Sequence, residues 1–343
     1  MLLGTLLASG ASLAMAQDSG KLDKLEKENS DLRRRLDALE AMAQKEGILP
    51  SGAPEASPIK AMSQMTISGF VTASYFYDTR TPKDNVPDGY LWNQRHNSFS
   101  INKVKLTIAS PPVERSGTDW SAGYRASLIF GENANAVNTG GEVQGLEALR
   151  EAYVEVNAPL GTGLNIKAGQ LISLLNYESG DGGAANANFS QGYQWYYTGN
   201  GPSAGVQLGY NLTDSVDLKV RVQNGMYAGA IDNNNGKTAM ASLGLKPDSK
   251  SWVNLIGFGG DESSTMTVKG ASILAGRQMT EKFGTGLELD YFHFTPGGPS
   301  ADLYSGGLWL TYDFTPKFGI ALRGEYLSDP DGGGLKGILV GGK

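Results

Sequence analysis

The sequence predicts an antiparallel transmembrane β-barrel of about 14–16 strands, preceded by an α-helical coiled-coil segment. Apolar and polar residues alternate with a period of two from about Gln64 to Tyr326. This is the pattern of strands that turn one face to lipid and the other to water. The connections between these strands are alternately short and long, as in bacterial barrels with short periplasmic turns and longer external loops.

Composition and charge narrow the function classes. Charged residues make up 19% of the chain, below the roughly 25% of an average soluble domain. The 47 glycines suit bent strands and tight hairpins. The net charge of −6 argues against a nucleic acid partner. Because the chain has no cysteine, disulfides, thiolate metal sites and cysteine-attached haem are excluded, and we expect no cofactor.

Residues 1–16 are predicted to be a signal peptide. Met1 to Ala16 is apolar and ends in Ala14-Met15-Ala16, a small-x-small cleavage pattern that makes Gln17 the mature start. The usual positively charged n-region is absent, and a buried helix is the alternative. Export is favoured because of the barrel pattern that follows.

Residues 20–46 show a heptad repeat, which predicts a coiled coil. An asparagine at one core position is a common device for fixing register and oligomeric state. We therefore expect self-association, most simply as a trimer; the alternative is an amphipathic helix that packs on its own chain. Residues 47–62 are rich in proline and read as a linker. The predicted oligomerisation residues are Leu22, Leu25, Asn29, Leu32, Leu36 and Leu39.

Thirteen strands are predicted in the barrel region, residues 64–343. The clearest is 216–223, where Val216, Leu218, Val220 and Val222 alternate with polar residues. A fragment at 335–340 reads as the start of another strand, and single-chain bacterial barrels have even strand numbers. The other predicted strands contain residues 66–75, 103–108, 119–128, 151–156, 164–169, 205–210, 238–245, 251–259, 265–277, 287–291, 308–313 and 320–326.

Aromatic residues cluster near the predicted strand ends, at 75–77, 291–294 and 312–314. Such clusters are typical of the aromatic girdles at the two membrane interfaces; ordinary core and turn aromatics are the alternative. His293 lies in one of these clusters and is interpreted as a girdle residue. The longer connections are 78–97, 131–145, 175–201, 225–237, 260–264 and 295–303.

Several short motifs resemble one family of porins. They include Gly169-Gln170, Asn176-Tyr177-Glu178, Thr198-Gly199 and the segment from Val222 to Met226. With Glu151 to Glu155 ahead of a Pro-Leu-Gly turn, they make the region from about Thr66 to Tyr326 similar to the putative β-barrel porin-2, OmpL-like outer-membrane porins. The resemblance implies a barrel that passes small solutes, and it supplies no catalytic residues.

Charges of both signs lie on the predicted polar face of the strands. Together with Asp119 there are seven basic and seven acidic positions, whereas strong anion selectivity calls for an uncompensated basic ring. The sequence therefore predicts a general or weakly selective pore. The candidate pore-lining residues are Lys103, Lys105, Arg125, Glu151, Glu155, Lys167, Asp217, Lys219, Arg221, Glu288, Asp290, Arg323 and Glu325.

The 175–201 connection is the best candidate for a constriction loop. It carries acidic and aromatic side chains, and a long loop folded into a wide barrel narrows it. Acidic groups on the loop opposite basic groups on the wall would then set a field across the pore. An external cap without a role in selectivity is the equal alternative. The candidate residues are Tyr177, Glu178, Asp181, Tyr193 and Trp195.

The sequence does not predict an enzyme or a metal site. Its only histidines are His96 and His293, and nothing in the sequence sets the geometry of a nucleophile and its base. The oxygen-rich run 232–236 lacks the ligand spacing of an EF-hand and reads as a polar loop.

Three functions compete. The first is a trimeric passive-diffusion porin in the bacterial outer membrane, with outer-membrane lipid and small hydrophilic solutes as partners. The second is an envelope tether, in which a periplasmic coiled coil contacts the cell wall. The third is a barrel sheath around a partner protein. A soluble β-sandwich is a further alternative for the fold.

Overall fold

A computed structural model gives the structure of the protein. It describes residues 27, 29–35, 37–38, 64–87, 92–138, 145–182, 185–232, 234–295 and 299–332. The chain divides into two compact units, Met1–Gln64 and Met65–Lys343. The predicted signal peptide, and Leu22, Leu25, Leu36 and Leu39 of the predicted coil, lie outside the described residues.

In the first unit, the described residues between 27 and 38 are helical. Asn29 and Leu32 both lie in this helix, and Leu32 is 62% exposed. Helix was therefore the right expectation for this stretch, whereas the coiled coil itself stays a prediction. In the part of the chain that the structure describes, no helix is long and apolar enough to cross a membrane.

The second unit is a single antiparallel sheet of 13 strands, each hydrogen-bonded to the next in sequence order. All thirteen predicted strands are present. The strands are β1 (Thr66–Phe76), β2 (Ser98–Ala109), β3 (Ser121–Phe130), β4 (Leu149–Ala158), β5 (Leu164–Leu171), β6 (Ser203–Thr213), β7 (Val216–Gln223), β8 (Thr238–Asp248), β9 (Ser251–Ser263), β10 (Met266–Gln278), β11 (Phe283–Thr295), β12 (Ala301–Thr315) and β13 (Phe318–Ser328).

The two faces of the sheet differ as the period of two requires. Apolar side chains such as Val71, Val154 and Leu322 are 66%, 56% and 60% exposed on one face, which we call the outer face. Polar and charged neighbours such as Lys103 and Glu151 are buried on the opposite, inner face. An exposed apolar face and a buried charged face are the reverse of a soluble sandwich and typical of a barrel in lipid.

The two ends of the sheet also differ. At one end of the sheet, which we call the turn end, successive strands are joined by short turns. Three of these turns have two residues each: 214–215, 249–250 and 316–317. The loop end carries the long connections, such as 172–202. Residues 260–264, expected to be a longer loop, are an exception, because β9 continues to Ser263 and pairs with β10 through a two-residue turn.

Among the described residues, β1 pairs only with β2 and β13 only with β12. Closure of the sheet and a full count of 14–16 strands therefore stay predictions. The fragment 335–340 lies outside the described residues.

Part of the inner face is apolar, although the alternation of the sequence predicts a polar inner face. At the loop end of β8–β12, inward apolar side chains form a buried cluster with Leu175 and Met226 from two loops. Phe292 and Phe294, expected in a girdle, are 0% and 1% exposed and belong to this cluster. The girdle interpretation is wrong for them because the alternation of β11 turns both rings inward.

His293 lies on the outer side of the same strand. Its Nδ1 is 2.7 Å from Oδ1 of Asp302, which also accepts a hydrogen bond from the hydroxyl of Tyr291. His293 is thus paired with a neighbouring carboxylate at the loop end of β11 and β12.

Candidate functional site

The long loop, residues 172–202 between β5 and β6, lies against the inner face of the sheet. Its side chains and backbone bond to inward residues of β2, β4, β11, β12 and β13. Of the two placements that the sequence allowed, an inward fold and an external cap, these contacts are those of an inward fold.

Asp181 of the long loop is shared between two cations. It forms an ion pair with Lys105 of β2, and its Oδ1 lies 3.0 Å from Nε of Arg150 in β4. Burial alone raises the pKa of Asp181, but the adjacent Arg150 and Lys105 outweigh it, so that its pKa lies below the ordinary value. The carboxylate is therefore ionised at neutral pH and fixes the loop to two strands.

Arg150 was not predicted as an inner residue. A register shift in the pairing of β3 and β4 places Glu151 opposite Ser127 but Leu149 opposite Leu128, so Arg150 is the extra residue of a β-bulge. A bulge breaks the alternation of faces, and Arg150 is only 3% exposed. Strict alternation from Ala152 would have placed it outside.

Glu178 fixes the long loop to the last described strand. Its Oε1 and Oε2 accept hydrogen bonds from Nη1 of Arg323 at 2.9 and 3.1 Å. The same guanidinium group donates to the carbonyl of Ser190 at 2.5 Å, and Glu178 also accepts from the backbone N–H of Gly192 at 2.8 Å. A single buried carboxylate thus holds both arms of the loop to β13.

The short helix Tyr193–Tyr197 begins against Glu325 of β13. The backbone N–H groups of Tyr193 and Gln194 each donate to the carboxylate of Glu325 at 3.1 Å. A carboxylate at this position satisfies amides that a helix start leaves unpaired and faces the positive end of the helix dipole.

Asp290 of β11 holds the other end of that helix. Its Oδ2 accepts hydrogen bonds from Nε2 of Gln194 and from the hydroxyls of Thr198 and Ser305, all at 2.8 Å. Asp290 is buried, and this network gives its carboxylate polar partners where water is excluded.

Tyr177 is held between two tryptophans. Trp252, Gly276, Gly286 and Trp309 are register neighbours across β9, β10, β11 and β12. The ring of Tyr177 lies over Gly286 and that of Trp252 over Gly276. The centroid of the Tyr177 ring is 5.9 Å from that of Trp252 and 4.6 Å from that of Trp309. Because Cβ atoms on these glycines would overlap the rings of Trp252 and Tyr177, the glycines create the slot.

Glu288 secures the backbone of the residue in this slot. Its Oε2 accepts a hydrogen bond from the N–H of Tyr177 at 2.8 Å, and its side chain is buried. Tyr177 is therefore fixed both by ring packing and by a hydrogen bond to the carboxylate.

Trp92, Trp195 and Lys103 form a second contact region on the β1–β4 side. The ring centroids of Trp92 and Trp195 are 5.6 Å apart, and Nε1 of Trp92 donates to the carbonyl of Gln191 at 2.7 Å. Nζ of Lys103 lies 5.3 Å from the Trp92 ring and 3.2 Å from Oε1 of Gln191. Lys103 is therefore bound through a cation–π contact and amide oxygens.

The long loop connects strands near the two edges of the sheet. Glu178 binds β13 and Asp181 binds β2. The three residue steps from Glu178 to Asp181 span at most roughly 11 Å. The sheet must therefore curl around the loop, because its second and thirteenth strands contact points so close together.

The other predicted pore-lining residues form pairs along the inner face. Arg125 Nε lies 2.6 Å from Glu151 Oε1, and Lys167 Nζ lies 3.4 Å from Glu155 Oε2. Arg125 is the most exposed of these four, at 36% of its side chain. These two pairs contact no residue of the long loop within hydrogen-bonding distance in the described part of the chain.

Strand β7 carries three further candidates. Lys219 Nζ lies 3.1 Å from Asp217 Oδ1. Arg221 is 4% exposed and donates to Oε1 of Gln207 at 2.7 Å and to the carbonyl of Ile172 at 2.8 Å. Arg221 thus fixes the start of the long loop and does not form an ion pair with a described carboxylate.

The described residues hold no group of three or more His, Asp or Glu side chains placed to bind a metal ion. The two histidines serve local contacts. Nδ1 of His96 accepts from the backbone N–H of Asp78 at 2.9 Å, and His293 pairs with Asp302. Among the described residues, neither histidine has a hydrogen bond to a serine or threonine hydroxyl, the arrangement that would activate such a nucleophile.

Comparisons with known proteins agree with this architecture. A family model described as "Putative beta-barrel porin-2, OmpL-like" matches residues 64–343. A search of curated proteins gave no match.

Two solved structures illustrate the similarity of fold. The anion-selective porin from Comamonas acidovorans aligns with a TM-score of 0.52 at 9% identity, over 78% of this chain and 79% of that chain. The outer membrane channel DcaP of Acinetobacter baumannii aligns with a TM-score of 0.49 at 14% identity, over 78% and 79% of the two chains. At such identity the first likeness shows the porin fold alone.

Proposed function

The chain belongs to the putative β-barrel porin-2, OmpL-like family, and from that membership we propose that it is an outer-membrane channel for passive diffusion. The description of the family as β-barrel porins supports a channel over an enzyme. Small hydrophilic solutes and ions are the proposed cargo, and the charge selectivity is weak.

Weak selectivity is supported by the pairing of charges around the long loop. Glu178 is neutralised by Arg323, and Asp181 by Lys105 and Arg150. An acidic loop facing an unpaired basic wall would set a strong field across the pore. Here the acidic and basic side chains contact each other, so the constriction keeps little net charge with which to discriminate between anions and cations.

The proposed pore runs along the inner face beside the long loop. The wall of β3–β5, with Arg125, Glu155 and Lys167, has half-buried charged side chains that the loop does not cover. The long loop is the constriction, and seven of the predicted pore-lining residues hold it in place: Lys103, Lys105, Arg221, Glu288, Asp290, Arg323 and Glu325.

We further propose a trimer whose N-terminal coil lies in the periplasm after removal of residues 1–16. The helical residues near Leu32 support this arrangement, because an exposed leucine in a heptad pattern suits a partner helix. A contact of this coil with the cell wall is part of the same proposal.

Single-channel recording of the purified protein in planar bilayers tests the proposal. We expect stepwise openings in groups of three and a reversal potential close to zero in a tenfold salt gradient. A reversal potential near the limit for one ion sign would contradict weak selectivity. Protein that inserts but never conducts would contradict the channel and favour the envelope tether or the sheath.

A further inference from the structure

Two adjoining cavities open on the inner face at the turn end, and Trp252, which lines both, also packs against the buried apolar cluster. One has a volume of about 480 Å³ and the other about 650 Å³. Trp252 and Lys246 line both of them. Volumes of this size suit small organic ligands, and the two shared residues show that the cavities lie side by side.

The larger cavity has an aromatic wall that is rigidly held. Tyr177 and Trp252 both line it, and their planes are within 11° of parallel. Gly276 also lines it and leaves room for the Trp252 ring. Because Tyr177 is held by Trp309 and Glu288, the wall is formed before a solute arrives, which lowers the entropy cost of binding.

The net charge of the residues that line the two cavities is positive, with five basic and three acidic side chains: Arg115, Lys219, Lys246, Lys250 and Arg277 against Asp214, Asp217 and Asp248. Asp217 is paired with Lys219, and Asp248 with Arg277. Lys246 is exposed, lines both cavities and forms no ion pair with any described carboxylate. Gln278 and Thr311 add uncharged hydrogen-bonding groups to the larger cavity.

We propose that this region is a solute-binding site for a planar aromatic carboxylate, with the ring against Trp252 and Tyr177 and the carboxylate at Lys246. It rests on the proposed function, because the solute reaches the site through the channel. A flat ring gains from contact with parallel aromatic faces, and an ammonium group without an acidic partner attracts an anion. A neutral sugar gains from the aromatic wall but not from Lys246.

Benzoate is the probe, with cyclohexanecarboxylate as a control of equal charge and similar size but without an aromatic face. We expect benzoate to reduce the single-channel current in a saturable manner, and its apparent affinity to exceed that of cyclohexanecarboxylate by about fivefold. Glucose, which lacks the charge, serves as the test for a sugar site. Equal block by benzoate and cyclohexanecarboxylate, or stronger block by glucose, would overturn the proposal.

Two variants test whether benzoate binds at Trp252 and Lys246. Trp252→Leu and Lys246→Gln should each weaken benzoate block by about fivefold while the channel still opens. Lys317→Gln, which removes an exposed lysine from another turn at the same end, should leave it unchanged. Lys246→Gln changes an exposed side chain, so its result does not depend on refolding of the core.

Calorimetric titration of the detergent-solubilised protein with benzoate tests the binding site separately from the proposed channel function. Openings without benzoate binding would refute the site and leave the channel intact. Benzoate binding that depends on Lys246, in protein without any conductance, would support the site and refute the channel.

Discussion

Tyr177 occupies the space that a side chain on Gly286 would need. A Cβ atom at position 286 would overlap the Tyr177 ring, which is stacked against Trp309. Since these residues come from the long loop and from β11, one missing side chain on the wall decides where the loop lies.

Gly286→Ala should therefore displace the long loop. We expect a larger and noisier single-channel current, because Tyr177 leaves its slot and the constriction widens. Gly257→Ala is the matched control, since a Cβ atom there meets nothing within 4 Å. Gly286→Ala should also lower the free energy of unfolding, and adding Tyr177→Ser should restore much of that loss. If the double variant instead lost the sum of the two single losses, Tyr177 would not occupy the space above Gly286.

Removal of the Glu178 carboxylate should loosen the loop from β13. In Glu178→Gln, Arg323 loses its closer carboxylate and keeps only Glu325, whose Oε2 lies 3.5 Å from its Nε. Breaking a buried ion pair costs about 3 kcal/mol. Unfolding in denaturant from lipid vesicles measures this loss. Asp248→Asn removes an exposed pair with Arg277 and should cost less than about 1 kcal/mol; equal losses in the two variants would disprove the special role of Glu178.

Acid should release the loop through Asp181. The lowered pKa of Asp181 means that its stabilising contribution is complete above the ordinary value of 3.8 and is lost as the pH falls through the lowered value. We expect steady currents from pH 7 to pH 5 and increasing flicker below pH 3.8.

Asp181→Asn provides the test of that assignment. The single-channel current of this variant should flicker already at pH 7. Asp119→Asn, which removes an exposed carboxylate at the turn end, should give the same current as the unaltered protein. Flicker that begins at the same pH with and without Asp181 would assign the effect to another group.

The outer face should not tolerate a charge. Val220 is 42% exposed near the middle of β7, and a lysine at the bilayer midplane costs about 2–4 kcal/mol. Val220→Lys should therefore lower the free energy of unfolding from lipid vesicles by about that amount. Asn254→Lys adds the same charge to a cavity on the inner face and should cost much less; an equally mild Val220→Lys would mean that β7 does not face lipid.

Local patterns in the sequence were sufficient for the sheet. Alternation along Val216–Gln223 and its counterparts predicted thirteen strands and the face of each charged candidate, because side chains of a strand alternate between its two faces. The lengths of the connections predicted which strand ends carry the long loops, except at residues 260–264, where the structure has a two-residue turn. The sequence did not predict the bulge at Arg150, because an extra residue in a strand is recognised only from its register with the partner strand.

Contacts distant in sequence were decided only by the tertiary structure. Trp252, Gly276, Gly286 and Trp309 have no common motif, and they become one row only when four strands are in register. Alternation along β11 turns Phe292 and Phe294 inward, but their burial there depends on Leu175 and Met226 from two loops that are distant in sequence. The sequence by itself determined the strands and their two faces, because these depend on neighbours two residues apart. The tertiary structure alone decided that the loop folds inward, because that depends on the match between Tyr177, Glu178 and Asp181 and a wall assembled from distant strands.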